Sequence, residues 1–223
     1  GSFPSLLKKL NIPHDGIEIT TSTPPKKDRS LSDEDAKAIL NSNSNKAEVI
    51  EWASERCLDP TFVLKQGVGY DPKSKAIVFP FRDAKGNLIG AKYRGTNGDQ
   101  WIKGREPELY ILDPTDLRQE KVVIVEGEVD ALTLKMLKCP VVATLGASKD
   151  KGFHLLSNHR QVYLGYDMDE AGEVGVEKAA QAIGRYRCKR VTWGLKDPND
   201  MVMAGATKEN LLLLNIPNGL GTG

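Results

Sequence analysis

Lys121-Val122-Val123-Ile124-Val125-Glu126-Gly127-Glu128-Val129-Asp130 opens the part of the chain whose reading decides the fold. Five residues, four of them apolar and β-branched, form a run with no alternation, as expected of a parallel strand buried on both faces. The run stops at a carboxylate followed by glycine. The same grammar recurs downstream: a helix over Ala131 to Lys138, a strand over Pro140 to Leu145, and Gly146-Ala147-Ser148 after it. A helix over Phe153 to His159 leads to a strand over Gln161 to Tyr166, which runs into Asp167-Met168-Asp169-Glu170-Ala171-Gly172. A long helix follows over Glu170 to Arg187, with Val174, Val176, Ala179, Ala180 and Ile183 toward the core. The last strand, Arg190 to Leu195, runs into Lys196-Asp197-Pro198-Asn199-Asp200. Four strands with three crossover helices predict a doubly wound parallel sheet, whose ligands sit at the carboxyl ends of the strands.

Those ends are acidic. Glu126, Glu128, Asp130, Asp167, Asp169, Asp197 and Asp200 come from three separate segments and converge on one sheet edge. Close like charges oppose each other's ionisation, and a hard divalent cation relieves the cost. Each acid singly has a plainer role as a helix N-terminal residue, and Asp130 and Glu170 are expected to serve partly so. For Glu126, Asp167 and Asp169, directly after buried strands, the metal reading leads. The chemistry expected is phosphoryl transfer on nucleic acid. Gly127 and Gly172 would admit backbone or phosphate closely, and Gly146-Ala147-Ser148 reads equally as a phosphate cradle or a tight turn. Lys149 and Lys151 are read as surface lysines.

Upstream the period changes. Ser30 and Ser32 before Asp33-Glu34-Asp35 predict a helix start, and two short helices are expected over Lys46 to Glu55 and Pro60 to Lys65. Ala76 to Phe81, Leu88 to Arg94 and Gln100 to Lys103 read as an antiparallel meander with turns at 83–87 and 95–98. Between Lys73 and Arg105 stand eight Lys/Arg and two acids, Asp83 and Asp99. A basic stretch beside an acidic edge suits a polyanion-handling enzyme, although a solvated basic face would look the same. Trp101, Tyr93 and Tyr110 are read as core or rim residues first and base-stacking residues second.

The 223 residues suffice for one moderate domain or two small packed ones, and 39% hydrophobic and 27% charged residues are ordinary for a globular chain. A net charge of +1 selects no partner. No apolar run is long enough for a membrane span. Three scattered cysteines (Cys57, Cys139, Cys188) exclude a zinc ribbon and read as reduced thiols. No Gly-x-x-x-x-Gly-Lys-Ser/Thr run is present, so no motor is expected in this chain. Residues 1–30 read as a flexible leader or linker, 31–119 as a basic α+β subdomain, 120–207 as the catalytic subdomain and 208–223 as a tail or linker. Gly1-Ser2 reads as a cloning remnant, so an excised core is expected.

The four motifs Val125 to Leu132, Leu145 to Ser148, Tyr166 to Gly172 and Lys196 to Asp200, in order and at βαβ spacing, resemble the Toprim domain. With Gly67-Val68-Gly69-Tyr70, Ile77 to Asp83 and Lys92-Tyr93-Arg94 upstream, the chain is similar to the catalytic core of the primase branch: bacterial replicative primases, phage primase-helicases and the Twinkle type. The resemblance covers about residues 45 to 206. It implies a Toprim-type four-stranded parallel sheet preceded by a smaller α+β subdomain. It implies DNA-dependent synthesis of short RNA primers by metal-dependent nucleotidyl transfer, with Glu126 catalytic and Asp167 and Asp169 binding metal. Glu128, Asp130, Asp197 and Asp200 would be accessory acids, and Arg82, Lys92, Arg94 and Lys103 would contact template or nucleotide. Two Mg²⁺ or Mn²⁺ ions are implied, with no zinc in this chain. The implied partners are single-stranded DNA, ribonucleoside triphosphates, a helicase or helicase domain, and a zinc-binding module in cis or in trans. The implied setting is a bacterial or phage-infected cytoplasm, or an organellar matrix. A Toprim-type nuclease, or an inert single-stranded-DNA-binding module of a primase-helicase, are the competing expectations.

Overall fold

A computed structural model describes residues 30–207 and 210–211. The leader and tail expected at the two ends lie, but for residues 30, 210 and 211, outside them.

Ser32 caps the first helix, α1 (Asp33–Ser42), its hydroxyl accepting from the Asp35 N–H at 3.1 Å. Helix α2 (Lys46–Ser54) and α3 (Pro60–Lys65) follow, the latter begun by Asp59 as cap and proline at its first position, where no N–H is needed. Four antiparallel strands come next: β1 (Gly69–Asp71), β2 (Ala76–Arg82), β3 (Leu88–Gly95) and β4 (Gln100–Gly104), in that order across the sheet. The meander is as read, with β1 added beside β2. Every residue from Ala76 to Phe81 is buried. Ile77 and Phe79 pack with Val49, Trp52 and Val63 of α2 and α3. Ala76 and Val78 pack with Ile39 of α1 and with Ala91 and Tyr93.

The second sheet has the order β5-β7-β6-β8-β9. Its strands are β5 (Tyr110–Ile111), β6 (Lys121–Val125), β7 (Val141–Ala143), β8 (Gln161–Leu164) and β9 (Cys188–Arg190). The four long-expected strands are mutually parallel, and β5 joins the edge antiparallel to β7. Helices α4 (Glu128–Met136), α5 (Glu170–Ile183) and α6 (Pro198–Met203) complete the unit. Val122 and Ile124 face the cluster of α5, while Val123 and Val125 face Ala131 and Leu134 of α4. The sheet is therefore doubly wound. Because β7 and β8 leave β6 on opposite sides, the carboxyl end of β6 is the crevice where such folds bind ligands.

Some local expectations are corrected. The last strand is 188–190, not 190–195, because Cys188 to Arg190 is what pairs with β8. Residues 153–156 form one 3₁₀ turn, not a helix to 159. Helix α4 starts at Glu128, earlier than Ala131. Helix α5 stops at Ile183, where Gly184 takes φ +109°. Val174 is exposed, whereas Gly172, Gly175, Val176, Ala179, Ala180 and Ile183 form the buried stripe at helical period.

The two sheets share their cores. Leu132 of α4 belongs with the α2–α3 cluster, and Phe81 of β2 belongs with the α4 cluster, edge-on to Tyr110.

Candidate functional site

The crevice at the end of β6 is a cavity of about 360 Å³ with walls of opposite charge. One wall carries Glu126, Glu128, Asp130, Asp167 and Asp197; the other carries Arg56, Lys92 and Arg94. Glu126 follows β6 directly. Asp167 follows β8, and its N–H donates to Glu126 Oε1 at 3.3 Å. Lys92 projects from β3 across the gap. Its Nζ lies 2.9 Å from Glu128 Oε1 and donates to Oε2 at 3.2 Å. The Oε1 contact is shorter but lacks hydrogen-bond alignment.

Burial first, then repulsion from Asp167, raises the Glu126 pKa above the ordinary carboxyl value. Asp167 is also raised, chiefly by burial, although Lys196 opposes the shift through a contact of 3.2 Å to Oδ2. Asp130 is raised well above the ordinary range by burial and by Asp197 and Asp167. It also accepts from the N–H of Gly127, the cap residue of α4, a back-bond typical of the third position of a helix. Arg56 is lowered, mainly by burial, with Arg94 adding to the shift. The acidic wall thus holds like charges together at a cost, which a counter-charge would relieve.

Leu145 and Gly146 form part of the lining and both have positive φ, +62° and +136°. For leucine this conformation costs roughly 1–2 kcal/mol, so the turn after β7 is set by its surroundings.

Two of the acids expected in the site stand at helix ends, outside the lining of the cavity. Asp169 caps α5, its Oδ1 accepting from Gly172 N–H at 2.8 Å, and it is exposed. Asp200 stands exposed in the first turn of α6. Asp197 does both, capping α6 through the Asp200 N–H at 2.8 Å while lining the cavity. Asp169 is near enough to raise the pKa of both Glu126 and Asp167. Of the expected cations, Lys92 and Arg94 line the cavity. Lys103 lies in an adjoining groove of about 790 Å³ with Trp101 and Lys149, which shares Lys92 and Leu145 with the cavity. It pairs with Asp35 at 3.3 Å and stands 5.3 Å over the Tyr93 ring. Arg82 lies in a third cleft with Lys85 and Arg105. Tyr93 and Tyr110 are buried, and Trp101 stacks on Tyr93 at 5.3 Å.

Three lining residues escaped the sequence reading: Arg56, Lys196 and Asn199. Arg56 lies just past the end of α2, its guanidinium 4.7 Å over the Trp52 ring and donating to Trp52 O at 3.1 Å. Asn199 donates to Arg56 O at 3.0 Å and to Thr133 Oγ1 at 3.1 Å, tying α6 and α4 to the Arg56 loop. The motif Lys196 to Asp200 drew attention to its acids, and only the fold reveals what its lysine and asparagine touch.

An all-oxygen set of carboxylates, of which Glu126, Asp130 and Asp167 have raised pKa values, suits a hard divalent cation. Among the described residues no three stand close enough together to enclose one as placed, and Lys196 supplies the positive charge on Asp167.

Residues 123–202 match a family described as Toprim-like. The DNA helicase/primase of Enterobacteria phage T3 is 30% identical over 141 residues, 59% of this chain and 25% of that protein. The chloroplastic/mitochondrial Twinkle homolog of Arabidopsis thaliana is 28% identical over 151 residues, 54% of this chain and 21% of that protein. The chain therefore spans a quarter or less of the curated relatives it matches. Among solved structures, the primase fragment of the bacteriophage T7 primase-helicase superposes with a TM-score of 0.62 at 25% identity, covering 74% of this chain and 73% of that one. The fold is that of Toprim primase cores.

Proposed function

We propose that this chain, Toprim-like over residues 123–202, is the catalytic core of a DNA primase, joining ribonucleotides into short primers on single-stranded DNA. The observation that carries the reading is the two-walled cavity, in which carboxylates at the ends of β6 and β8 face Arg56, Lys92 and Arg94. A nuclease needs the acidic wall. A polymerase also needs cations to hold a triphosphate against it.

In this mechanism Arg56, Lys92 and Arg94 bind and orient the triphosphate oxygens, and positioning and electrostatics supply most of the catalysis. Divalent cations bound by Glu126 and Asp167, with Asp169 and the accessory acids Glu128, Asp130, Asp197 and Asp200, would neutralise charge developing on the attacking and leaving oxygens. Glu126, its carboxyl raised by burial, is the candidate to take the proton of the attacking 3′-hydroxyl. The groove of Trp101, Lys103 and Lys149 is the candidate path for the template. The names of the relatives pair primase with helicase, which supports a helicase motor as partner. A zinc module would supply start-site recognition. Among the described residues no helix is long and apolar enough to cross a membrane.

The test is incubation with single-stranded DNA, labelled ribonucleotides and Mg²⁺ or Mn²⁺. Short RNA products are expected, falling by about a hundredfold or more in Glu126→Gln and in Asp167→Asn. Shortened DNA would replace the proposal with a nuclease, and binding without turnover with an inert module.

A further inference from the structure

The segment 165–169, which presents Asp167 and Asp169, lies beyond the last ladder residue of β8. Gly165 is still tied to β6, its N–H donating to Ile124 O at 2.8 Å; beyond it, something other than the sheet must fix the main chain. One fixture is the Met168 N–H, which donates to Lys196 O at 2.8 Å. The larger one is Arg190 of β9, paired in register with Leu164 and nearly excluded from solvent. Its Nη1 donates to the carbonyl oxygens of Leu164 at 3.1 Å, Tyr166 at 3.0 Å and Val191 at 2.6 Å. Its Nη2 reaches Asp167 O at 3.4 Å and Met168 Sδ at 3.2 Å. Glu173, in the first turn of α5, holds the guanidinium from the other side, taking Nη2 at 2.6 Å and Nε at 3.1 Å.

Arg190 lies outside the residues lining the cavity. Its link to Asp167 is to the main-chain oxygen, so it sets where the carboxylate starts from and leaves its charge partner, Lys196, unchanged. A guanidinium fork is suited to this: five N–H groups in one plane serve several carbonyls and a carboxylate at once, which an ammonium cannot reproduce.

We propose that Arg190, seated by Glu173, is a positioning residue that clips the main chain at Tyr166 and Asp167 so that the Asp167 carboxylate is presented to the cavity. The idea rests on the reading of that cavity as a cation and phosphate site. Arg190→Lys keeps the charge and loses the fork; Glu173→Gln keeps the fork and loosens its seat.

The decisive measurement is hydrogen–deuterium exchange of the whole chain without added metal. In folded Arg190→Lys, amides of 166–169 are expected to exchange roughly tenfold faster, with α4 and β6 unchanged. Mn²⁺ titration followed by electron paramagnetic resonance should then show a midpoint raised roughly tenfold, the range seen when a group supporting a ligand is removed. Unchanged exchange at 166–169 overturns the proposal. So does faster exchange with an unmoved Mn²⁺ midpoint, which would leave Arg190 a merely structural residue. If Arg190→Lys does not fold, Glu173→Gln decides by the same two readouts. A wild-type chain that takes up no Mn²⁺ would overturn the metal reading and, with it, the positioning role of Arg190.

Discussion

At Asp130 the chain places a carboxylate where burial, Asp197, Asp167 and Glu126 all oppose its charge. A carboxyl whose folded pKa is raised binds its proton more tightly when folded. Its contribution to stability therefore falls as pH rises from the ordinary carboxyl range through the raised value. Asp130→Asn removes the ionisable group and should make stability less steep in pH across that window. At neutral pH it should raise the melting temperature by about 2–4 °C, roughly 1 kcal/mol for a chain of this size. A lower melting temperature in calorimetry would refute the account of Asp130 as a strained charge. Glu126 and Asp167 were legible in the sequence because each follows an apolar run, and the other acids by their place in the motifs beside them. Arg56 and Lys196 were not, since a cation past a helix end, or inside an acidic motif, has no period to betray it. Only the packing of α2 and α6 against α4 brings Arg56 and Asn199 to the cavity.

Helix α5 meets the acidic segment through glycine. A Cβ at Gly172 would fall on the carbonyl oxygen of Asp167 well inside contact distance, and one at Gly175 would meet Ala147 O and the Tyr166 ring at 2.8 Å. Both obstacles are main chain or buried ring, so neither yields cheaply. Gly172→Ala is expected to cost about 1–3 kcal/mol, read by chemical denaturation, and to lower primer synthesis beyond the loss of folded protein. A fully active, equally stable variant would show that the helix does not press on the loop. At this scale most of the architecture was readable: β6 from its unbroken apolar run, the meander from its short runs and the turns between them. The misses have local causes. Val174 was assigned to the core by its type, but the helical period places Gly172, Gly175 and Val176 on the buried face. Strands β1 and β5 are 3 and 2 residues long, too short for any period to register.

Across the whole molecule, the amino-terminal part contributes Arg56, Lys92 and Arg94, and the parallel-sheet unit contributes the carboxylates and Lys196, so neither half holds the site alone. Binding of single-stranded DNA should weaken steeply with salt. The slope of log affinity against log salt should become shallower by about 0.7 for each phosphate contact removed. Lys103→Gln, in the groove proposed for the template, tests this in a fluorescence titration at several salt concentrations; an unaltered slope would move Lys103 off the nucleic-acid path. The tie between the halves has a practical side. Tyr110–Ile111, on the amino-terminal side of the boundary expected at 119/120, hydrogen-bonds to Val142 and Ala143 at the margin of the parallel sheet. A fragment cut to begin at residue 120 would leave that margin bare, a row of unpaired amides and carbonyls along an apolar strand, which is a template for self-association. Anyone dissecting this protein should expect such a fragment to precipitate, and one beginning before Leu109, with its selvedge intact, to stay in solution.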